Sequence, residues 1–218
     1  MPPDLIIFDC DGVLVDSEAL GGAILVRLMR ARGSDITLDE VDRRYRGMVM
    51  EEMVADFFER LGQPYDPSFP GTIRDQVNAA LSQEVEAVPG ALDLVRQVQA
   101  AGLPCCVASS GALEKMRITL GRTGLLPLLG EVLFTAQDVP RGKPAPDVFL
   151  HAARVMGADP AGCLVIEDSP AGVRAAVAAG MQVVGYSGAR PDEAKALASL
   201  GATPVAQLSE VPALIGLG

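Results

Sequence analysis

Leu5-Ile6-Ile7-Phe8 is a short unbroken apolar run that ends abruptly in two acids and Gly12. Unbroken runs of this length mark strands buried on both faces, as in a parallel sheet, and polar groups then gather where such a strand stops. The pattern recurs at residues 104–108, 132–134, 163–166 and 182–185, and more weakly at 203–205. Between these runs the apolar positions change to helical spacing. Leu92, Val95 and Val98 precede Gly102, Leu113, Met116 and Leu120 follow, and Val148, Phe149, Ala152, Val155 and Met156 precede Gly157. Ser169-Pro170 opens an alanine-rich stretch closed by Gly180, which supplies a cap, a first-turn proline and a glycine stop. Strand and helix alternate from residue 86 onward. The expected fold is α/β, a doubly wound, Rossmann-like parallel sheet with helices on both faces.

Residues 17–85 interrupt that alternation. They hold no convincing strand, but Thr37-x-x-Glu40 is a capping box, and Met53, Val54, Phe57, Phe58 and Leu61 form an apolar stripe closed by Gly62. A second stripe runs through Ile73, Val77 and Leu81 after a loop expected over 67–71. The expected organisation is a discontinuous sheet domain, 1–16 and 86–218, carrying a small helical domain, 17–85, inserted after the first strand. An insert of about 70 residues is within reach of its own core.

Composition narrows the chemistry. A net charge of −10 over 218 residues disfavours nucleic acid and acidic membranes as partners, and 4% aromatic residues leave few stacking platforms. No apolar stretch reaches membrane-spanning length, and no basic, cleavable leader opens the chain. The four cysteines, Cys10, Cys105, Cys106 and Cys163, have neither zinc-site nor disulfide-framework spacing, so they read as buried thiols in a reducing cytoplasm.

The richest chemical signal is Asp9-Cys10-Asp11-Gly12 at the end of the first strand. Gly12 turns the chain at once, so both carboxylates can border one pocket while pointing differently. One can then stay ionised as a nucleophile while the other exchanges a proton. Ser109-Ser110-Gly111 ends the second long strand with a hydroxyl and backbone N–H groups suited to phosphoryl oxygens. Lys143 lies in Arg141-Gly142-Lys143-Pro144-Ala145-Pro146-Asp147, and Glu167-Asp168-Ser169 ends another buried strand.

These four segments, in this order, resemble the four motifs of the haloacid dehalogenase superfamily, and the helical insert resembles that family's small cap. The resemblance covers nearly the whole chain and leans toward the branch of β-phosphoglucomutase-like and 6-phosphogluconate phosphatase-like proteins. It implies that Asp9 is the nucleophile, Asp11 the general acid and base, and Ser109 and Lys143 catalytic groups on the transferring phosphoryl. It implies a Mg²⁺ cofactor on the side chains of Asp9 and Asp168 and the backbone carbonyl of Asp11, with Glu167 bound directly or through water. Ser110 and Gly111 would hold phosphoryl oxygens, and Gly47, Met48 and Met50 would meet the rest of the substrate.

The implied function is a Mg²⁺-dependent phosphatase acting on a small phosphorylated metabolite, a sugar phosphate or phosphosugar acid, as a cytoplasmic enzyme with a monomer favoured. The alternative is a phosphosugar mutase. It is disfavoured because Met50 stands where the mutases, aligned around Tyr45 to Glu51, carry a phosphate-clamping arginine, and Gly21 stands where they carry a histidine. Asp11 also argues against dehalogenases and phosphonatases, which lack a carboxylate there. Receiver domains combine similar residues, but they place the phosphorylated Asp later and have no insert. His151 is expected to be structural.

Overall fold

The computed structural model describes residues 2–45, 48 and 50–217. The chain divides into two compact units, Met1–Asp16 with Glu86–Gly218, and Ser17–Val85.

In the first unit, β1 (Leu5–Phe8) leads through the two acids to a short strand β2 (Val15–Asp16). The second unit follows with α1 (Glu18–Ala31), α2 (Leu38–Tyr45), α3 (Met50–Leu61) and α4 (Phe69–Glu84). Strand β3 (Glu86–Ala87) then pairs antiparallel with β2, so the chain leaves and re-enters the first unit along one two-stranded ladder. The remainder alternates: α5 (Ala91–Ala100), β4 (Cys105–Ser109), α6 (Leu113–Arg122), α7 (Leu126–Leu129), β5 (Leu133–Thr135), α8 (Asp147–Met156), β6 (Cys163–Glu167), α9 (Pro170–Ala178), β7 (Gln182–Tyr186), α10 (Pro191–Ser199), β8 (Thr203–Val205) and α11 (Val211–Leu214).

The main sheet has the order β5-β4-β1-β6-β7-β8 with every pair parallel. Ile7 is registered between Cys106 of β4 and Val165 of β6. Leu5, Ile6, Ile7 and Phe8 are all fully buried, which explains the unbroken apolar run: β1 is central and neither face meets water. On one face Leu5, Ile7, Cys106, Ala108 and Val165 pack with Val148, Phe149 and Ala152 of α8 and Val173 and Ala176 of α9. From β1 the chain runs out to β4 and β5, then returns to β6 and runs out the other way. That reversal opens a crevice at the carboxyl ends of β1, β4 and β6, where open α/β sheets bind ligands. The fold class expected from the pattern is the one observed.

The helical unit has its own core. Phe57, Phe58 and Phe69 cluster with Met29, Ile36, Val41, Met53, Val54 and Ile73. The Phe57 and Phe69 rings stack with centroids 5.8 Å apart, and the Arg32 guanidinium lies 4.3 Å from the Phe69 centroid. The Thr37–Glu40 capping box forms as the spacing predicts. The Thr37 N–H donates to Glu40 Oε2 at 3.0 Å, and the Glu40 N–H donates to Thr37 Oγ1 at 3.3 Å.

One expectation is corrected: residues 67–71 are not all loop. Phe69, Pro70 and Gly71 form the first turn of α4, where a proline costs no hydrogen bond because first-turn N–H groups have no intrahelical acceptor. Helix α1 gave no sequence signal because Gly21 and Gly22 interrupt it. Gly22 faces the tip of the Leu38 side chain at the start of α2.

Candidate active site

Asp9, Asp11, Ser109, Glu167 and Asp168 stand where strands give out, and Lys143 lies on the loop between β5 and α8. Asp9 directly follows β1, and its N–H donates to Ile166 O of β6 at 2.9 Å, which continues the ladder by one residue. The chain then turns tightly. Gly12 adopts φ +83°, its N–H donates to Val15 O at 2.8 Å, and the Leu14 and Val15 N–H groups both donate to Cys10 O. The positive φ is one reason for glycine there. The other is space, since a Cβ on Gly12 would collide with the Asp168 carboxylate. The turn after β1 and the end of β6 therefore meet through a position that cannot carry a side chain.

At the floor of this crevice Lys143 carries the electrostatics. Its ammonium donates to Asp9 Oδ1 at 2.5 Å, to Glu167 Oε1 at 2.8 Å and to Ala108 O at 3.1 Å, and lies 4.7 Å from the Phe149 ring centroid. The Lys143 side chain is only 4% exposed and that of Glu167 1%. Burial would depress the Lys143 pKa, but the Asp9 and Glu167 carboxylates outweigh it and hold the amine above its ordinary value. Asp9 is pushed up to about 7. Burial is the main cause, with the nearby Glu167 charge adding to it and Lys143 opposing it. One ammonium does not neutralise two carboxylates in so dry a place. The loop bearing Lys143 is clasped from outside. Arg141 Nη2 donates to Asp147 Oδ1 at 2.8 Å and Arg141 Nε to Asp147 Oδ2 at 3.2 Å, which holds the Asp147 pKa below the usual carboxylate range.

Glu167 has a second set of partners. Its Oε2 accepts from the Ser169 N–H at 2.8 Å and the Ser169 hydroxyl at 2.9 Å, and Ser169 Oγ in turn accepts from the Gly172 N–H at 3.1 Å, capping α9. A Cβ on Gly172 would overlap the Glu167 carboxylate. Glu167 was expected to reach a metal directly or through water. One of its oxygens accepts from Lys143 and the other from Ser169, and a further contact through water is compatible with both.

The upper part of the site belongs to the loop after β4. Ser109 is buried, and its Oγ accepts from the Gly111 N–H at 3.0 Å. The Gly111 carbonyl accepts from the Thr135 hydroxyl at 2.7 Å, so β5 pins the loop in place. Ser110 is exposed at the loop's tip. Asp11 is held here. Its Oδ1 accepts from Lys115 Nζ at 2.8 Å, in a pair whose side chains are 28% (Lys115) and 24% (Asp11) exposed. Neither Lys115 nor Thr135 was singled out from sequence. A lysine inside a helical stretch reads as an ordinary solvated charge.

Among the described residues no three His, Cys, Asp or Glu side chains are gathered into a ready-made metal cage. Mg²⁺ needs less than that, because it takes one or two carboxylates and keeps several waters. The donors here suit it. Asp9, Asp168 and the Asp11 carbonyl are hard oxygens, the side-chain-free Gly12 leaves room for the Asp168 carboxylate, and the buried floor holds more negative than positive charge.

A model of the haloacid dehalogenase-like hydrolases matches residues 3–180. The chain belongs to this family. It is 31% identical over 97% of its length to 94% of the 6-phosphogluconate phosphatase of Escherichia coli (strain K12). It is 33% identical to the validoxylamine A 7′-phosphate phosphatase of Streptomyces hygroscopicus subsp. limoneus, covering 89% of this chain and 90% of that one. Among solved structures, a haloacid dehalogenase family hydrolase of Deinococcus radiodurans R1 with bound phosphate and sodium superposes with a TM-score of 0.83 at 33% identity, over 99% and 97% of the two chains.

As a haloacid dehalogenase-like hydrolase the protein is an enzyme, and the family resemblance expected from its four motifs holds. The residues expected to meet the rest of the substrate fare differently. Met48 is exposed, and Met50 opens α3, half-buried against the edge of the helical unit's own core. Gly47 lies outside the described residues, as does Arg46. His151 sets its ring edge-on to Phe134, 5.4 Å between centroids, with Nδ1 2.9 Å from Arg154, in keeping with a structural role. Among the described residues no helix is long and apolar enough to cross a membrane.

Proposed function

We propose that this hydrolase is a Mg²⁺-dependent phosphatase that cleaves a small phosphorylated metabolite, a sugar phosphate or phosphosugar acid, through an aspartyl phosphate on Asp9. One observation carries the reading: Asp9 and Asp11, two residues apart, occupy opposite environments. Asp9 is buried on Lys143 at the floor, whereas Asp11 is a quarter exposed on Lys115. That contrast supports two different tasks for two chemically identical groups.

In the proposed reaction Asp9 attacks phosphorus in line while the ester P–O bond breaks, and Asp11 gives its proton to the departing alcohol oxygen. Asp11 then takes a proton from water as that water attacks phosphorus and releases Asp9. Lys143, the Ser109 hydroxyl and the Ser110 N–H are suited to the transferring oxygens, while the Gly111 N–H donates to Ser109 Oγ and so holds that hydroxyl, and such positioned charge is most of what a protein contributes to phosphoryl transfer. Mg²⁺ held by Asp9, Asp168 and the Asp11 carbonyl would supply the positive charge that lets one anion approach another. The substrate class is supported by the two curated relatives, whose names each specify the phosphate ester of a small polyhydroxylated molecule.

The test is phosphate release from a panel of sugar phosphates, phosphosugar acids and nucleotides, with Mg²⁺ and after chelation, for wild type and Asp9→Asn. The expected outcome is metal-dependent release that falls roughly a thousandfold or more in the variant. An undiminished rate in Asp9→Asn removes the nucleophile from the proposal. Interconversion of sugar monophosphates that depends on a bisphosphate primer would make the protein a mutase instead.

A further inference from the structure

Thr135 belongs to none of the four motif segments. It closes β5 in register with Ser109 of β4, and it is buried. A buried hydroxyl has to find partners, and this one has two. It donates to Gly111 O at 2.7 Å and accepts from the Gln137 N–H at 3.2 Å, so a single oxygen joins the loop after β4 to the turn after β5. The hold on Gly111 travels one step further. The Gly111 N–H donates to Ser109 Oγ at 3.0 Å, so both polar backbone groups of this glycine are bonded, one toward Thr135 and one toward Ser109. A glycine has wide φ/ψ freedom, and a bond at each end of the residue removes it. A serine hydroxyl has one proton to give and lone pairs to receive. With a lone pair of Ser109 Oγ taken by the Gly111 N–H, the O–H itself points elsewhere.

We propose that Thr135 is a positioning residue for phosphoryl transfer: by holding the Gly111 carbonyl it keeps the Gly111 N–H on Ser109 Oγ, and so directs the Ser109 hydroxyl proton at a transferring oxygen. This rests on the role given to Ser109 in the phosphatase reading above. Valine would fill the same space at the end of β5, with the same branching at Cβ, but would leave the Gly111 carbonyl without its donor. The strand would keep its place while the loop lost its tether. Stabilisation of a transferring phosphoryl group depends on donors that are already aimed, so a tilt of this one hydroxyl costs rate.

The test is a double-mutant cycle on kcat/KM for 4-nitrophenyl phosphate with Mg²⁺, combining Thr135→Val with Ser109→Ala. Alone, Thr135→Val is expected to lower kcat/KM about tenfold, and Thr135→Ser, which keeps the hydroxyl, to stay within about threefold of wild type. Ser109→Ala is expected to cost roughly a hundredfold. Adding Thr135→Val to it should cost less than about twofold more, because the hydroxyl that Thr135 directs is already gone. Thr135→Ala repeats the cycle should the valine variant fold poorly. A tenfold loss in both backgrounds means that Thr135 acts through the turn at Gln137 or through general stability, and overturns the proposal. A Thr135→Ser variant as slow as Thr135→Val places the effect in the methyl group and overturns it too, as does a Thr135→Val variant at the wild-type rate. If Ser109→Ala leaves phosphate release unchanged, the role of Ser109 fails and this proposal with it, whereas additive losses beside a slow Ser109→Ala leave the phosphatase reading intact and remove Thr135 alone.

Discussion

The floor and the rim of the site use the same pairing, a lysine on an aspartate, with opposite consequences. At the floor Lys143 is sealed from water, serves two carboxylates at once and rests on an aromatic ring. At the rim Lys115 and Asp11 each keep about a quarter of their side chains in solvent. A buried ammonium cannot be removed without leaving uncompensated charge, so Lys143 holds the floor together. A rim ion pair is screened and adds little to folding. Similar geometry at two depths thus gives one pair sealed from water and one pair open to it.

Lys143→Met tests the deeper half of that comparison most severely. With Asp9 and Glu167 left facing each other in the absence of a cation, denaturant unfolding at pH 8 should show a loss of about 3–5 kcal/mol. Phosphate release should fall by roughly a hundred- to thousandfold, as when a positioned charge is deleted from a preorganised site. Lys115→Met in the same unfolding experiment should cost no more than about 1 kcal/mol. Equal losses in the two variants would erase the distinction between floor and rim.

That distinction could not be read from the sequence, although most of its components could. The strands were legible because a doubly buried strand must be apolar throughout, and residues 5–8 and 203–205 are strands with the expected ends. The motif acids were legible because they follow such runs directly. Lys115 was not, because the partner of a flexible cation is set by the packing of α6 against the sheet, across more than a hundred residues of chain. The engagement of Glu167 was hidden for a related reason. A Glu-Asp-Ser string fits a metal ligand and a helix cap equally well, and only the closeness of Gly172 shows that Glu167 is wedged between α9 and Lys143. Helix α1 was obscured by Gly21 and Gly22, which carry no helical signal of their own.

Two glycines extend the comparison without touching a charge. Gly172→Ala would drive a methyl group into the Glu167 carboxylate, a group with almost no exposure and fixed partners on both sides. Something must move, and a shift of Glu167 disturbs Lys143. The expected result is a loss of about 1–3 kcal/mol in denaturant unfolding together with a clear fall in kcat. Gly111→Ala brings its methyl group only to 3.3 Å from Asp11 Oδ2 and 3.4 Å from Ser109 Oγ, on a loop at the rim. A displacement of a few tenths of an ångström accommodates it, so stability should be nearly unchanged while kcat falls modestly. A Gly111 variant that unfolds more readily than the Gly172 variant would reverse the assignment of rigidity to the floor.

The smallest effect belongs to a surface carboxylate away from the site, at the shallow end of the series. Glu40 closes the capping box of α2, and the Thr37 backbone N–H and hydroxyl that donate to it hold its pKa below the ordinary 4.5. A carboxylate depressed in the folded state stabilises the fold when the pH is above its unfolded value, and that contribution is lost as pH falls through the folded value. Glu40→Gln should therefore lower Tm slightly near neutral pH, and the gap to wild type should close as the pH falls from the ordinary 4.5 through the lower folded value and Glu40 takes up its proton. Catalysis should not change, because the box lies in the helical unit and its partners are all within α2 and its cap. A gap that widened on acidification would mean that the Glu40 charge opposes folding, and the depressed pKa would then have the wrong sign.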